Sequence, residues 1–227
     1  GDERAILPAD AADLAQVLAE NPKATIVAGA TDVGLWVTKH LRSISPAVFI
    51  GHLPDLKRIE ITPGHIHVGA GVTYSEFEPF ILQHFPEARD YWLRIGGWQV
   101  RNAGTIGGNV ANGSPIGETP PLLIALGAAM VLRGTDGRRT IPVEDYFIEY
   151  GRQDRRPGEF VETLIVPLKG QAMIAAYKVS KRHHADISAA AAAFRVETDG
   201  ATITSARVAF GGMAGTPRRA AHAEAAL

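Results

Sequence analysis

The sequence predicts an α+β fold of two subdomains. Its first half alternates short apolar strands with helices, whereas its second half is mostly strands joined by tight turns, which is typical of an antiparallel sheet. The change falls near Pro167–Gln171, where proline and glycine interrupt the pattern. We therefore expect an N-terminal unit that ends there and a smaller antiparallel unit beyond it.

A strand, a loop and a helix follow one another near the start of the chain. After a helix capped by Asp10, Thr25–Val27 is predicted to be a short buried strand that runs into the small-residue loop Ala28–Asp32. A loop of this kind at the start of a helix can present free N–H groups to a phosphate, but an ordinary strand–helix connection explains the same residues. The helix predicted next has one face made of Val33, Trp36, Val37, His40 and Leu41.

Two β-hairpins are predicted from alternating apolar residues. The first turns at Thr62–His65, and the second turns at Gly134–Gly137. Between them, Thr73 and Glu76 form the capping box of a helix. Further strands are predicted at residues 47–50, 159–167, 173–181, 187–197 and 201–210.

The stretch from Trp98 to Ala128 is rich in glycine and small polar residues, and Thr105–Asn109 lies at its centre. Adjacent glycines can adopt a positive φ, and successive N–H groups in such a turn can form an anion-binding nest. A plain glycine-rich turn is the alternative. Gly69–Gly71 has no third glycine at the sixth position of a dinucleotide fingerprint, where Tyr74 stands, so a Rossmann site is excluded there.

The composition excludes several classes of partner and of functional site. The 227 residues carry a net charge of −1, which indicates neither a nucleic-acid partner nor a membrane surface, and no signal peptide or spanning segment is found, so we expect a cytoplasmic protein. Without cysteine the chain holds no iron–sulfur cluster, and its histidines show no metal spacing. The two small-residue loops remain, and together they suggest the pyrophosphate of a dinucleotide such as FAD, which would supply redox chemistry.

Four segments, in order and spacing, resemble one family. The chain looks like the FAD-binding domain of xanthine dehydrogenase, a molybdenum hydroxylase, and more closely its bacterial small-subunit form. The resemblance covers essentially the whole sequence. Its motifs are IVAGATDV at residues 26–33, QVR at 99–101 before TIGGNVANGSPIGETPP, YKVSKR at 177–182 and FGGMA at 210–214.

The resemblance implies a vanillyl-alcohol-oxidase (PCMH)-type FAD-binding fold over residues 1–169, with FAD between two subdomains. Residues 170–227 would be the start of a C-terminal α+β domain like that of the carbon monoxide dehydrogenase flavoprotein, and this domain is expected to be truncated. Two segments would hold the FAD pyrophosphate and its neighbouring groups. They comprise Ile26, Val27, Ala28, Gly29, Ala30, Thr31, Asp32 and Val33, and Thr105, Ile106, Gly107, Gly108 and Asn109.

Three further positions match cofactor contacts of the family. Glu118 matches an acidic residue near the ribityl and adenosine side, Val161 an aliphatic contact, and Lys178 a cofactor-contacting lysine. The family usually has aspartate at the position of Glu118. Ile95 replaces an aromatic residue that often packs on the adenine, and the loop Lys181–Asp186 differs from animal relatives, which leaves NAD and oxygen both open as acceptors.

The implied activity is one half-reaction of a larger enzyme in purine catabolism. FAD would take electrons from two iron–sulfur clusters, and reduced FAD would give a hydride to NAD. The clusters and the molybdenum cofactor are expected on an iron–sulfur domain and a molybdenum-binding subunit outside this chain. No catalytic side chain is named. A carbon monoxide dehydrogenase-type flavin subunit, another reductase of the same fold and a scaffold without cofactor are the alternatives.

Overall fold

The computed structural model describes residues 3–227, which form fourteen strands and eight α-helices. The strands are β1 (Ala5–Ile6), β2 (Thr25–Val27), β3 (Ala47–Phe49), β4 (Ile59–Thr62), β5 (His65–Gly69), β6 (Ala129–Gly134), β7 (Gly137–Pro142), β8 (Phe147–Glu149), β9 (Arg152–Gln153), β10 (Phe160–Pro167), β11 (Met173–Val179), β12 (Ala190–Asp199), β13 (Thr202–Gly211) and β14 (Arg218–Arg219). The helices are α1 (Ala11–Glu20), α2 (Val33–Thr38), α3 (Tyr74–His84), α4 (Arg89–Leu93), α5 (Trp98–Ala103), α6 (Ile106–Asn112), α7 (Thr119–Leu126) and α8 (Ala221–Glu224).

The N-terminal subdomain is a small parallel sheet in the order β1-β3-β2. Helix α1 begins where predicted, because the Asp10 carboxylate accepts hydrogen bonds from the N–H groups of Ala12 and Asp13 at 2.7 and 2.8 Å. Its buried face, at Leu14 and Leu18, joins one apolar cluster with residues of β3 and the segment after it. This cluster fixes the strand from which the first small-residue loop departs.

The second subdomain is a five-stranded antiparallel sheet in the order β4-β5-β10-β6-β7. Both predicted hairpins are confirmed, as β4 pairs with β5 and β6 with β7. The predicted capping box is also present: the Thr73 hydroxyl accepts from the Glu76 N–H, and the Glu76 carboxylate accepts from the Thr73 N–H. Helices α3, α4, α6 and α7 contribute to the core that this sheet shares.

The C-terminal unit is an antiparallel sheet in the order β11-β12-β13-β14. Helix α7 is buried along its whole length, because the five-stranded sheet and the C-terminal sheet both contribute to the core around it. The α+β fold class is therefore confirmed. The chain passes from the second subdomain to this unit between Pro167 and Met173, and the division after residue 169 stays a prediction.

Helix α2 differs from its prediction. It ends at Thr38, and none of its residues is buried, so the apolar face expected from Val33 to Leu41 packs against no core. Leu41 lies beyond the helix at φ 52° with 87% of its surface exposed. Apolar spacing predicts which residues share a face of a helix, but it does not predict whether another element packs against that face. Among the described helices, none has the length and apolar character to cross a membrane.

Candidate cofactor site

A cavity of about 690 Å³ lies where the three units meet. The N-terminal subdomain contributes the loop after β2, and the second subdomain contributes α5, α6 and the residues before α7. The C-terminal unit adds Ala185–Ile187 at the rim. The volume is within the usual range for a pocket that encloses a small molecule or cofactor.

The first loop, Ala28–Asp32, is held in an unusual conformation. Ala30 has φ 56°, a left-handed value that costs a non-glycine residue about 1–2 kcal/mol. Gly29 approaches the end of α5 so closely that an added Cβ would lie 1.7 Å from the carbonyl oxygen of Ala103. Glycine is therefore required at this position by backbone contact between two units, and the strain at Ala30 is the kind found at ligand-binding sites.

Free N–H groups line this loop. Four successive backbone N–H groups, those of residues 30–33, donate to no acceptor within residues 3–227. The Asp32 carboxylate instead accepts from the indole N–H of Trp36 at 3.2 Å, which leaves the backbone of the loop open. Four successive N–H groups without an internal acceptor, on residues that line the cavity, are suited to an anionic oxygen-rich group such as a pyrophosphate.

The second glycine-rich segment differs from the predicted nest. Thr105 is the N-cap of α6, and the next four N–H groups all have acceptors within the protein: Val72 O, Ala70 O, Thr105 Oγ1 and Thr105 O. Neither Gly107 nor Gly108 has a positive φ. This segment is therefore a helix start and not an open anion-binding turn.

Gly107 and Asn109 serve packing at this helix start. A Cβ on Gly107 would lie 2.3 Å from that of Ala70, so glycine lets α6 contact the residue that follows β5. The Asn109 side-chain oxygen accepts from the Thr119 N–H at 3.3 Å and thereby connects α6 to the start of α7. Gly107, Gly108 and Asn109 nevertheless line the cavity wall.

Glu118 and Lys178, predicted as two separate contacts, form an ion pair with 2.5 Å between Lys178 Nζ and Glu118 Oε1. Lys178 Nζ also donates to the carbonyl oxygens of Arg94 at 2.8 Å and Asp186 at 2.7 Å. The Lys178 side chain is 1% exposed and does not line the cavity, whereas Glu118 does. The Ser188 hydroxyl donates to the same Glu118 oxygen at 2.7 Å.

The cavity brings together most of the sequence-predicted positions. Val27 and Ile106 do not line it, because both side chains are buried in apolar cores, and Lys178 is also outside it. Ile95 lies in the wall and is buried. The predicted residues that line the cavity are Ile26, Ala28, Gly29, Ala30, Thr31, Asp32, Val33, Thr105, Gly107, Gly108, Asn109, Glu118 and Val161.

Sequence reasoning missed several lining residues. Gln153 and Arg155 enter the wall from the segment after β8, where the Arg155 guanidinium donates to the carbonyl oxygen of Glu159 at 2.9 Å. Trp36, which the pattern predicted on one face of the helix after the loop, also lines the cavity. Nothing in the local sequence pattern of residues 149–161 indicates which of their side chains point into the cavity.

Two buried tyrosines support the wall. Burial raises the pKa of the Tyr74 and Tyr91 hydroxyls above their ordinary values, so both remain neutral. Tyr91 donates to the carbonyl oxygen of Glu118 at 2.5 Å, and Tyr74 accepts from the Thr119 hydroxyl at 3.3 Å. The start of α7, and with it Glu118, is therefore fixed by hydrogen bonds from α3 and α4.

The geometry fits a dinucleotide cofactor: a cavity of about 690 Å³, a strained loop whose N–H groups have no acceptor within residues 3–227, and the carboxylate-bearing Glu118 in the wall. Residues 2–169 match the family described as FAD binding domain in molybdopterin dehydrogenase, and residues 175–227 match the CO dehydrogenase flavoprotein C-terminal domain. The chain belongs to this family of FAD-binding domains, which confirms the resemblance and the expected FAD.

Three known proteins illustrate the similarity. The xanthine dehydrogenase FAD-binding subunit of Escherichia coli O157:H7 is 29% identical over 218 residues, covering 94% of this chain and 75% of that subunit. The nicotinate hydroxylase of Emericella nidulans is 30% identical over 93% of this chain, which spans only 17% of that protein. The solved CO dehydrogenase from Oligotropha carboxidovorans superposes with a TM-score of 0.92 at 28% identity, covering 100% of this chain and 80% of the matched chain.

Proposed function

We propose that this chain is the flavin-carrying component of a xanthine dehydrogenase-like molybdenum hydroxylase. Bound FAD would accept electrons from iron–sulfur clusters on another domain or subunit and would reduce NAD, within purine catabolism. The molybdenum cofactor and the purine site would lie on the partner polypeptides. The xanthine dehydrogenase subunit of Escherichia coli O157:H7, similar over 94% of this chain, supports this choice.

The observation that carries the proposal is the set of free N–H groups from Ala30 to Val33 in the wall of the cavity. They would bind the FAD pyrophosphate, and the short side chains of Ala28 and Gly29 would leave the backbone accessible. Gly108 and Asn109 would contact neighbouring groups through side-chain and Cα atoms, because the N–H groups of that segment are already used.

The remaining residues would position the cofactor. Glu118 Oε2 has no hydrogen-bond partner within residues 3–227 and would accept a hydrogen bond from a cofactor hydroxyl. Val161 and Ile95 would supply apolar contacts. Hydride transfer needs no acid or base from the protein, so binding, orientation and exclusion of water are the tasks left to this chain.

A second candidate is the flavin subunit of a carbon monoxide dehydrogenase-type enzyme. It is favoured by the superposition on the solved CO dehydrogenase, with a TM-score of 0.92 over the whole chain. The two candidates share the FAD site and differ in the substrate that the partner subunit would oxidise.

The FAD site is tested with a matched pair of variants in one segment. Gly29→Ala adds a Cβ that would clash with the backbone of α5, whereas Gly34→Ala adds one with no atom within 4 Å. The purified proteins are denatured, and the released flavin is identified and quantified. We expect one FAD per wild-type and Gly34→Ala chain and little in Gly29→Ala at unchanged circular dichroism. Absence of FAD from the wild type after incubation with FAD contradicts the proposal.

The acceptor is tested by anaerobic titration with NADH, followed by absorbance of the bound flavin. We expect stoichiometric bleaching by NADH in the isolated chain, because the proposed reaction is reversible. A flavin that is bleached by dithionite but remains oxidised with NADH would contradict NAD as the acceptor.

A further inference from the structure

We propose that Lys178 is a positioning residue, which holds the carboxylate of Glu118 and the rim of the cavity in place without touching the cofactor. This inference rests on the proposed function of the cavity. It departs from the assignment of Lys178 as a cofactor contact, and it follows from the atoms that surround its ammonium group.

Three protein oxygens surround Lys178 Nζ within hydrogen-bond distance: Glu118 Oε1, Arg94 O and Asp186 O. Arg94 O and Asp186 O accept hydrogen bonds from the ammonium group, and Glu118 Oε1 is its ion-pair partner. Since the side chain is 1% exposed, no face of the ammonium group is left for a ligand in the cavity. The charge of Lys178 is thus matched inside the protein.

The partners of Lys178 belong to three different segments, of which two, those of Glu118 and Asp186, contribute these residues to the cavity wall. Glu118 precedes α7, Arg94 follows α4, and Asp186 lies in the rim segment 185–187. Ser188, just after the rim segment, donates to the same Glu118 oxygen. One buried ion pair therefore fixes the rim on both sides of Ile187.

Glu118 is held asymmetrically by these contacts. Its Oε1 pairs with Lys178 Nζ and accepts a hydrogen bond from the Ser188 hydroxyl, whereas its Oε2 has no partner among residues 3–227. Glu118 itself lines the cavity. The ion pair thus orients one carboxylate oxygen inward.

The residues that precede the rim segment are held by Arg94, in contacts that do not depend on the ammonium group of Lys178. The Arg94 guanidinium donates to the carbonyl oxygens of Lys178 at 2.6 Å and His183 at 3.2 Å, and to the Ser180 hydroxyl at 3.0 Å. Loss of the lysine side chain should therefore loosen residues 185–188 more than residues 180–183. This local signature separates positioning from a general loss of stability.

The experiment compares Lys178→Met, the double variant Glu118→Gln/Lys178→Met and the control Lys181→Met, whose lysine is exposed. Removing one member of a buried ion pair leaves an uncompensated charge, but removing both members avoids it. Hydrogen exchange of the cofactor-free chains is measured by mass spectrometry. We expect about tenfold faster exchange in residues 185–188 of both Lys178 variants and wild-type exchange in Lys181→Met.

FAD affinity and the spectrum of bound FAD supply the second readout. We expect Lys178→Met to bind FAD at least about tenfold more weakly, and the double variant to recover much of that loss with an unshifted flavin spectrum. If Lys178→Met does not fold, the double variant alone carries the comparison. Unchanged rim exchange, or equal loss of affinity and a shifted spectrum in both variants, would overturn the proposal. Because the exchange measurement needs no FAD, this failure is distinct from failure of the proposed function.

Discussion

Glu162 shows how single residues tune the stability of the second subdomain. Its carboxylate is hydrogen-bonded to Arg133 at 2.7 Å and to Arg138 at 2.5 and 2.9 Å, and its side chain is 12% exposed. Burial alone raises the pKa of this carboxyl, but the hydrogen bonds from the two arginines outweigh burial and hold its pKa below the ordinary value. Glu162 therefore stabilises the fold in its ionised form.

The sign of the pH dependence follows from that shift. A carboxyl with a lowered folded-state pKa contributes its full stability above the unfolded-state pKa, near 4.3, and loses it as the pH falls through the folded-state value. We expect Glu162→Gln to lower the free energy of unfolding at pH 7 and to differ less from wild type at about pH 3.5. Urea unfolding at both pH values measures this, with the exposed Glu60→Gln as control. An equal deficit at both pH values would disprove the ionic origin.

At the scale of elements, two helix starts lie side by side next to the cavity. Thr73 caps α3, Thr105 caps α6, and the two threonines form an antiparallel bridge. The N–H of Ile106 donates to Val72 O, so the start of α6 is completed by the segment that leads into α3. A change at the α3 cap should therefore reach the wall of the site.

We expect Thr73→Ala to lower the free energy of unfolding by about 1 kcal/mol, because the Glu76 N–H loses its acceptor. The capping contribution matters for α3, since Pro79 within the helix already removes one backbone N–H. Chemical denaturation measures the change, with Thr135→Ala in an exposed turn as the control. A loss no greater than that of the control would show that the cap contributes nothing to stability.

For the whole molecule, α7 is the element that joins the subdomains. Arg207 on β13 donates to the carbonyl oxygen of Ile124 near the end of α7 at 3.1 and 2.8 Å, and it pairs with Glu144 at 2.6 Å. These contacts connect the C-terminal sheet to α7 and to the segment after β7. Docking of the C-terminal sheet also places the rim segment 185–187 over the cavity.

We expect Arg207→Met to lower the free energy of unfolding by about 1–3 kcal/mol, because a part-buried carbonyl and a carboxylate lose a charged donor. Arg218→Met, at an exposed arginine on β14, is the control. Urea unfolding followed by fluorescence measures both variants. Equal stability of Arg207→Met and the control would mean that apolar packing around α7 joins the units without help from this arginine.

Local pattern predicted the elements whose determinants are near one another in sequence. The two hairpins, the Asp10 cap and the Thr73–Glu76 capping box all depend on residues a few positions apart, and all are confirmed. The small-residue loop Ala28–Asp32 was also visible, because a strand must end before a helix can begin. The predicted extent of α2 was wrong, since the helix ends at Thr38, before His40 and Leu41.

The sequence by itself determined the α+β class, the absence of cysteine chemistry and the motifs that place the chain in its family. Only the tertiary structure decided which N–H groups have an acceptor. Those of Ala30–Val33 have none within residues 3–227, whereas those of residues 106–109 all have one, two of them in the carbonyls of Ala70 and Val72. The tertiary structure also decided that Lys178 pairs with Glu118 and does not line the cavity. The physical reason is that hydrogen bonds and ion pairs between distant segments exist only once folding has brought those segments together.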